Sequence, residues 1–274
     1  MSEYSAALHT RLAAYKKRYL SGPGDGASSQ DGDSGREPQG LSPEHYQLNI
    51  LPHIRARFWA WFDSADPQPS LHEDFHRLAS SQAMSFNLFF PLLNEGEADP
   101  RLLQALGIKA GAGFQGRFDK VVDEEEKTRF DVYLESRSGQ KIFFDLKLAE
   151  AHYGGCDDDE THRQTWEREY RPYLQQHVDA KWLEPAAFCT QYEILSNVSY
   201  LGRDADSGLV FILPKANERL TESDETIKRI VSKSLAPRVA ILYLEYLVER
   251  LIAATADDEP LLRHYLEFRE KYMC

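Results

Sequence analysis

Asp131, Asp145 and Lys147 are the residues of this chain whose types and spacing could do chemistry together. They lie in the stretch Arg129 to Leu148, which reads as two short strands joined at Ser138-Gly139, the pattern of a β-hairpin. Strand side chains alternate between faces. Ile142, Phe144, Leu146 and Leu148 then share one face of the second strand, and Phe143, Asp145 and Lys147 share the other. On the first strand Asp131 and Tyr133 share a face, opposite Val132 and Leu134. Two carboxylates and a lysine therefore converge from adjacent strands, with apolar residues behind them. Convergent carboxylates on rigid strands suit a hard divalent cation, Mg²⁺ or Mn²⁺, which takes oxygen ligands. A lysine two residues beyond the second carboxylate can hold an attacking water or help deprotonate it. A solvated hairpin face carrying an Asp/Lys pair explains the same residues.

The elements that must position these groups need a core, and the composition supplies one. Of 274 residues 42% are hydrophobic, with 14 Phe, 14 Tyr and 4 Trp. No run of 18 or more apolar residues suggests a membrane span, and residues 1–20 contain no apolar signal segment. Cys156, Cys189 and Cys274 lack metal-type spacing and fit free thiols in a reducing, cytoplasmic setting. The net charge of −12 argues against a tight, non-specific coat on DNA, because phosphate binding depends on Lys and Arg. Binding through a local patch and a metal stays compatible with it.

In chain order, residues 4–19 predict a helix with Leu8, Leu12, Tyr15 and Tyr19 at helical spacing. Residues 21–42, rich in Gly, Ser and Asp, read as a flexible low-complexity linker. A helix is expected from Ser42-Pro43 with a break at Pro52, then a loop over 63–70. The segment Leu71 to Leu93 reads as one apolar helix, and Gln82 and Asn87 are polar within it. Amides buried there need specific partners, either backbone neighbours or a site. Strands are expected at 114–122, 129–134 and 141–148, and a buried fourth at 208–213. The acidic run Asp157–Glu160 suits the N-terminus of a helix over 161–178, with a metal role as the alternative. A helix over 186–200 contains Gln191, Tyr192 and Asn197. Residues 218–274 read as a helical extension, with Arg238–Ala254 so apolar that it must be buried in the domain or against a partner such as a second copy of the chain. Lys228, Arg229, Lys233 and Arg238 form a basic cluster that could contact nucleic acid or be a solvated helix face.

A rival constellation is His72-Glu73-Asp74-Phe75-His76, the His-Glu-x-x-His pattern of zinc metalloproteases. Asn94-Glu95 follows about where such enzymes supply a third ligand. Charges at Asp74 and Arg77, the loop formers Gly96 and Pro100, and the continuous helix expected over 71–93 count against it.

Asp131 followed by Asp145-Leu146-Lys147 resembles the core motif of the PD-(D/E)XK nuclease superfamily, with Phe130 where that motif has proline. Leu48-Asn49-Ile50-Leu51-Pro52, Ser80-Ser81-Gln82 with Asn87-Leu88-Phe89-Phe90-Pro91, and Glu150 with Tyr153-Gly154 after the Asp-x-Lys are similar to the PGN_0703-like restriction endonucleases within it. The resemblance spans roughly residues 42–213. It implies an α/β (α+β) fold with a restriction-endonuclease-like αβββαβ core, extended by helices at both ends, in a domain over 43–274. It implies a Mg²⁺-dependent nuclease acting on DNA, with Asp131 and Asp145 holding metal and Lys147 and Gln82 completing the catalytic set. Gln82 stands where the pattern has Glu, so an inactive nuclease-fold module acting as an adaptor is the alternative. Gln191, on the second core helix, Asn87 and Glu150 are secondary candidates. Deleting residues 21–40 is expected to change unfolding free energy by less than about 1 kcal/mol in a denaturant titration, since such a segment has little to bury.

Overall fold

The alternation along the hairpin carries through a whole sheet and divides the molecule into layers. A computed structural model describes residues 2–20, 40–66, 68–94, 96–109, 113–121 and 129–274. Its first half runs α1 (Glu3–Tyr15), α2 (Pro52–Ser64), α3 (Ser81–Phe89), β1 (Leu93–Asn94), β2 (Glu97–Ala98), α4 (Pro100–Leu106), β3 (Phe114–Val121), β4 (Arg129–Ser136) and β5 (Lys141–Leu146). The second half runs α5 (Glu160–Thr165), α6 (Arg171–Leu174), α7 (Pro185–Thr190), α8 (Tyr192–Arg203), β6 (Ser207–Leu213), α9 (Glu218–Ile230), β7 (Val239–Tyr243), α10 (Leu244–Ala254) and α11 (Glu259–Tyr272). Among the described residues the strands form one seven-stranded sheet in chain order. β3, β4 and β5 are antiparallel, and β6 and β7 continue the sheet in parallel with β5.

One face of the sheet presents Val132, Leu134, Ile142, Phe144, Leu146 and Ile212 to a core built with α1–α4, α10 and α11. The other presents Tyr133, Phe143, Leu209, Phe211 and Leu213 to a second core under α5–α9. The predicted register of the hairpin is the observed one. Phe144 lies 5.4 Å from Phe89 of α3, centroid to centroid, while Phe143 stacks against Phe130 at 4.6 Å on the opposite side. Phe130 breaks the alternation of its strand, because it shares a layer with Tyr133 rather than with Val132.

Several elements depart from expectation, each for a physical reason. The segment Leu71–Leu93 is not one helix: a 3-10 turn over Glu73–His76 precedes α3. Asn49 Nδ2 donates to the carbonyls of Phe75 and Arg77, both at 2.7 Å, and Arg77 pairs with Gly40 in an isolated bridge. Those partners take backbone groups that a continuous helix would need. At the other end of the chain, Val239–Tyr243 is strand β7, not part of a long helix. A short apolar run is ambiguous by periodicity, and the free edge of β6 decides it. The second core helix is two helices, α7 and α8, parted at Gln191. There the Cys189 carbonyl accepts from Cys156 N–H at 2.8 Å and Gly154 O accepts from Glu193 N–H at 3.1 Å. Beyond α1 a π turn over Lys16–Leu20 moves Tyr19 out of the apolar stripe and leaves it 40% exposed. The helix expected from Ser42 begins as a 3-10 turn over Pro43–Asn49. The linker expected over 21–42 lies outside the described residues up to position 39.

The acidic run has the structural role. Asp159 caps α5 by accepting from His162 N–H, and Asp158 pairs with Arg163. The residues Leu247, Val248, Leu251, Tyr265, Phe268 and Tyr272 of α10 and α11 are buried inside the domain, which accounts for the apolar character of these helices. Truncating Phe144 to Ala should cost about 3–5 kcal/mol of stability as a core deletion, read from urea unfolding. A cost below about 1 kcal/mol would mean the hairpin register is reversed.

Candidate active site

The β4–β5 ladder closes at Val132↔Phe144. Beyond it the strands part, and a side chain takes over as partner: Asp131 Oδ2 accepts from Leu146 N–H at 2.8 Å. Asp145, 4% exposed, faces the same side. Its Oδ2 accepts from Asn197 Nδ2 at 2.5 Å. Its Oδ1 lies 2.9 Å from Lys147 Nζ, yet receives no well-directed hydrogen bond. Lys147 Nζ also donates to Glu193 Oε1, and Glu193 Oε2 accepts from Gly154 N–H at 2.7 Å. The Tyr153 ring lies 5.3 Å from the ammonium. The loop over 153–156 can sit this close because Gly155 lacks a side chain: a Cβ there would come 2.9 Å from the Cys189 carbonyl oxygen.

The charges are set by burial and by one another. Burial, then the adjacent Asp145, pushes the Asp131 carboxyl up to about 7. Burial likewise lifts Asp145 to about 6, against the pull of Lys147. Burial disfavours the Lys147 ammonium, but Asp145 and Glu193 overrule it and hold it protonated, well above the usual lysine value. Glu193 is held below its ordinary value: burial would raise it, and Lys147 and the Gly154 N–H outweigh that. The donor set fits a hard divalent cation. Asp145 Oδ1 is a buried oxygen whose ion-pair partner Lys147 Nζ lies 2.9 Å away without a well-directed hydrogen bond. Asp145 also raises the cost of ionising Asp131, which a nearby cation would relieve. Among the described residues no three His, Cys, Asp or Glu are grouped as a metal site. The arrangement is therefore an open pair of carboxylates, and Mg²⁺ ordinarily completes such a pair with waters and substrate phosphate oxygens.

Of the residues singled out from sequence, Asp131, Asp145 and Lys147 come together here. Glu150 lies nearby: it acts electrostatically on all three, and its Oε2 accepts from Leu148 N–H at 2.6 Å. Gln82 does not join them. Its amide bridges the chain before α3, accepting from His72 N–H at 3.0 Å and donating to Ser70 O at 2.8 Å. Asn87 is structural too, accepting from Leu51 N–H and donating to Asn49 O, Ala83 O and Tyr272 Oη. Gln191 occupies the corner between α7 and α8, half-buried, and the residue that reaches Lys147 is Glu193 two positions on. Glu193 and Asn197 were missed as a pair. Their spacing of four puts both on one face of α8, which is a readable signal.

The basic cluster is dispersed. Arg238 is built into the fold, donating to the carbonyls of Leu201, Asp204 and Ser207. Lys228 pairs with Glu225 at 2.8 Å, Arg229 donates to Glu225 O, and Lys233 is exposed. The His-Glu-x-x-His segment lacks the helix it requires. His72 is in extended conformation outside the 3-10 turn, and His76 Nδ1 lies 3.0 Å from Glu73 O. One such turn cannot align histidines four apart on a face, so the zinc-protease alternative loses its geometry.

An antiparallel β3–β4–β5 unit continued by parallel β6, with helices on both faces and carboxylates where two strands part, defines a restriction-endonuclease-like α+β fold. The chain matches the family described as Restriction Endonuclease associating with ARP over residues 10–273, and it belongs to that family. The kinship to restriction endonucleases implied by the motifs is thus borne out. No curated protein and no solved structure matches the chain.

The raised aspartates carry a pH signature. Both bind protons more tightly folded than unfolded, where a carboxyl titrates near 4. Their ionisation therefore lowers stability as pH rises from about 4 to about 7. Asp131→Asn keeps an acceptor for Leu146 N–H and removes one charge. In EDTA it should melt above wild type at pH 8, with the gap closing by pH 4. A gap that does not change with pH would contradict the repulsion between Asp131 and Asp145.

Proposed function

We propose that this protein is a Mg²⁺- or Mn²⁺-dependent endonuclease hydrolysing phosphodiester bonds in DNA, with Asp131 and Asp145 as the cation's ligands. The observation that carries the reading is the parting of β4 and β5, which leaves both carboxylates and Lys147 on one buried ledge with Asp145 Oδ1 lacking a directed hydrogen bond. Membership of an endonuclease family supports it. A bound cation would polarise the phosphate and lower the pKa of its water.

The chain's own groups do the rest. Leu146 N–H and Asn197 fix the orientations of the two carboxylates. Lys147, kept protonated on Glu193, offers its charge to the phosphate as negative charge develops. Glu193 is a positioning residue that acts through Lys147. DNA is the proposed partner, engaged through local contacts because the chain carries a net charge of −12. The family's description also names ARP, and association with it is proposed for this chain on that ground alone.

Asp145→Asn and Lys147→Ala should each lower plasmid cleavage in Mg²⁺ or Mn²⁺ at least about 10²-fold while the variants stay folded. Wild-type rates in both folded variants would sink the reading. A wild type that binds DNA and cleaves it with neither metal would instead be an inactive binding module.

A further inference from the structure

The parallel half of the sheet ends beside the site, and its edge carries a second group of side chains. Lys147 N–H donates to Ile212 O at 2.9 Å, one step beyond the pair Leu146↔Ile212. Lys147 therefore stands level with Leu213, which in turn pairs with Tyr243. Leu213 and Tyr243 pack in the same layer as Phe143 and Tyr153, the layer Lys147 faces. In parallel α/β sheets this carboxyl edge is where ligands are received.

The loop after β6 is tied to the loop that follows Lys147. Asn217 Nδ2 donates to Glu150 O at 2.9 Å and to Leu148 O at 3.4 Å. At its tip Lys215 is exposed, and its Nζ donates to Tyr246 Oη at 2.7 Å. The ammonium lies 5.1 Å from the Tyr246 ring and 6.0 Å from that of Tyr243. Tyr246, in the first turn of α10, is 49% exposed, more than any other large hydrophobic residue described. Tyr243 braces it edge-on at 6.0 Å and is itself anchored by donating to Asp224.

The ammonium of Lys215 is held differently from those of three other lysines. Lys141 and Lys228 are paired to Asp204 and Glu225, and Lys147 to Asp145 and Glu193. The hydrogen-bond partner of Lys215 is a neutral phenol. The Glu245 carboxylate is engaged by the backbone N–H groups of Lys215 and Ala216 at 2.8 and 3.2 Å. A half-exposed aromatic ring beside an ammonium without a carboxylate partner is the combination a single strand recognises, with a base on the ring and a phosphate on the charge.

We propose that Lys215 and Tyr246 form a binding site for an unpaired nucleotide of the DNA strand whose phosphate is held at Asp145 and Lys147. The inference rests on the nuclease reading and names the form of its substrate. Two strand spacings, about 10 Å, separate β5 from β7, so the two sites share one edge of the sheet. The enzyme then requires a single-stranded or opened segment on one side of the scissile bond.

The test is fluorescence anisotropy of a labelled single-stranded oligonucleotide, intact or with its bases removed, in EDTA over a series of salt concentrations. Lys215→Ala should lower the slope of log affinity against log salt by about 0.7, the contribution of one phosphate on a single strand. Tyr246→Ala should weaken the intact strand about 5- to 100-fold and leave the abasic strand unchanged, while Tyr246→Phe keeps the affinity. Hydrolysis of bis(p-nitrophenyl) phosphate with Mn²⁺, too small to reach the tyrosine, should be the same in all three variants. Unchanged slope and affinity in Lys215→Ala and Tyr246→Ala, against a wild type that binds, would overturn this site and leave the nuclease reading standing. Equal losses on intact and abasic strands would overturn stacking in favour of a structural ring. A wild type that neither binds the strand nor cleaves the small diester removes the nuclease reading, and this proposal with it.

Discussion

The buried Lys147 ammonium, held between Asp145 and Glu193, is the interaction on which the rest of the site depends. It joins strand β5 to helix α8. Burying charges of both signs is costly, and such a cluster is seldom retained for stability alone. Here the cost is offset by directed partners: Asn197 on Asp145, Gly154 N–H on Glu193 and Leu146 N–H on Asp131.

A second polar network performs the complementary task of holding α3 against α11 and the chain that precedes it. Lys271, fully buried in α11, donates to Asn49 O and Asn49 Oδ1, both at 2.7 Å. Asn49 Nδ2 reaches the turn before α3, Asn87 on α3 reaches Tyr272, and His264 Nε2 lies 2.7 Å from Asn87 O. Burial depresses the Lys271 amine well below the usual lysine range, with Arg55 adding to the shift. The C-terminal helix is thus a structural part of the domain. Asn87 belongs to this scaffold and Gln82 ties down the chain at Ser70 and His72, which accounts for polar residues in an apolar segment by structural contacts.

Some of the chain's acids have defined structural partners. Surface carboxylates cap helices or pair with arginines, as Asp159, Asp158 and Asp99 do. Surface pairs of this kind add little stability. With a net charge of −12, carboxylates still outnumber the cations that could pair with them.

By itself the sequence determined the hairpin, its register and the three residues at its open end. A period of two is a local property, and a buried apolar face tolerates no slip of register. It also indicated free thiols and a helical N-terminus, because composition and helical spacing are likewise local. Tertiary structure alone decided that Val239–Tyr243 is a strand, because a five-residue apolar run adopts whichever partner lies beside it, and the edge of β6 was open. It alone decided that residues 71–93 break, since Asn49 claims the carbonyls of Phe75 and Arg77 from another part of the chain. The same holds for the site's remaining members. Glu193 and Asn197 lie 46 and 52 residues from the groups they hold, Lys147 and Asp145. Which residue of α8 faces the sheet depends on the break at Gln191, and that break is set by hydrogen bonds from the loop at Gly154 and Cys156. Contacts of that range follow from packing, which spacing along the chain does not encode.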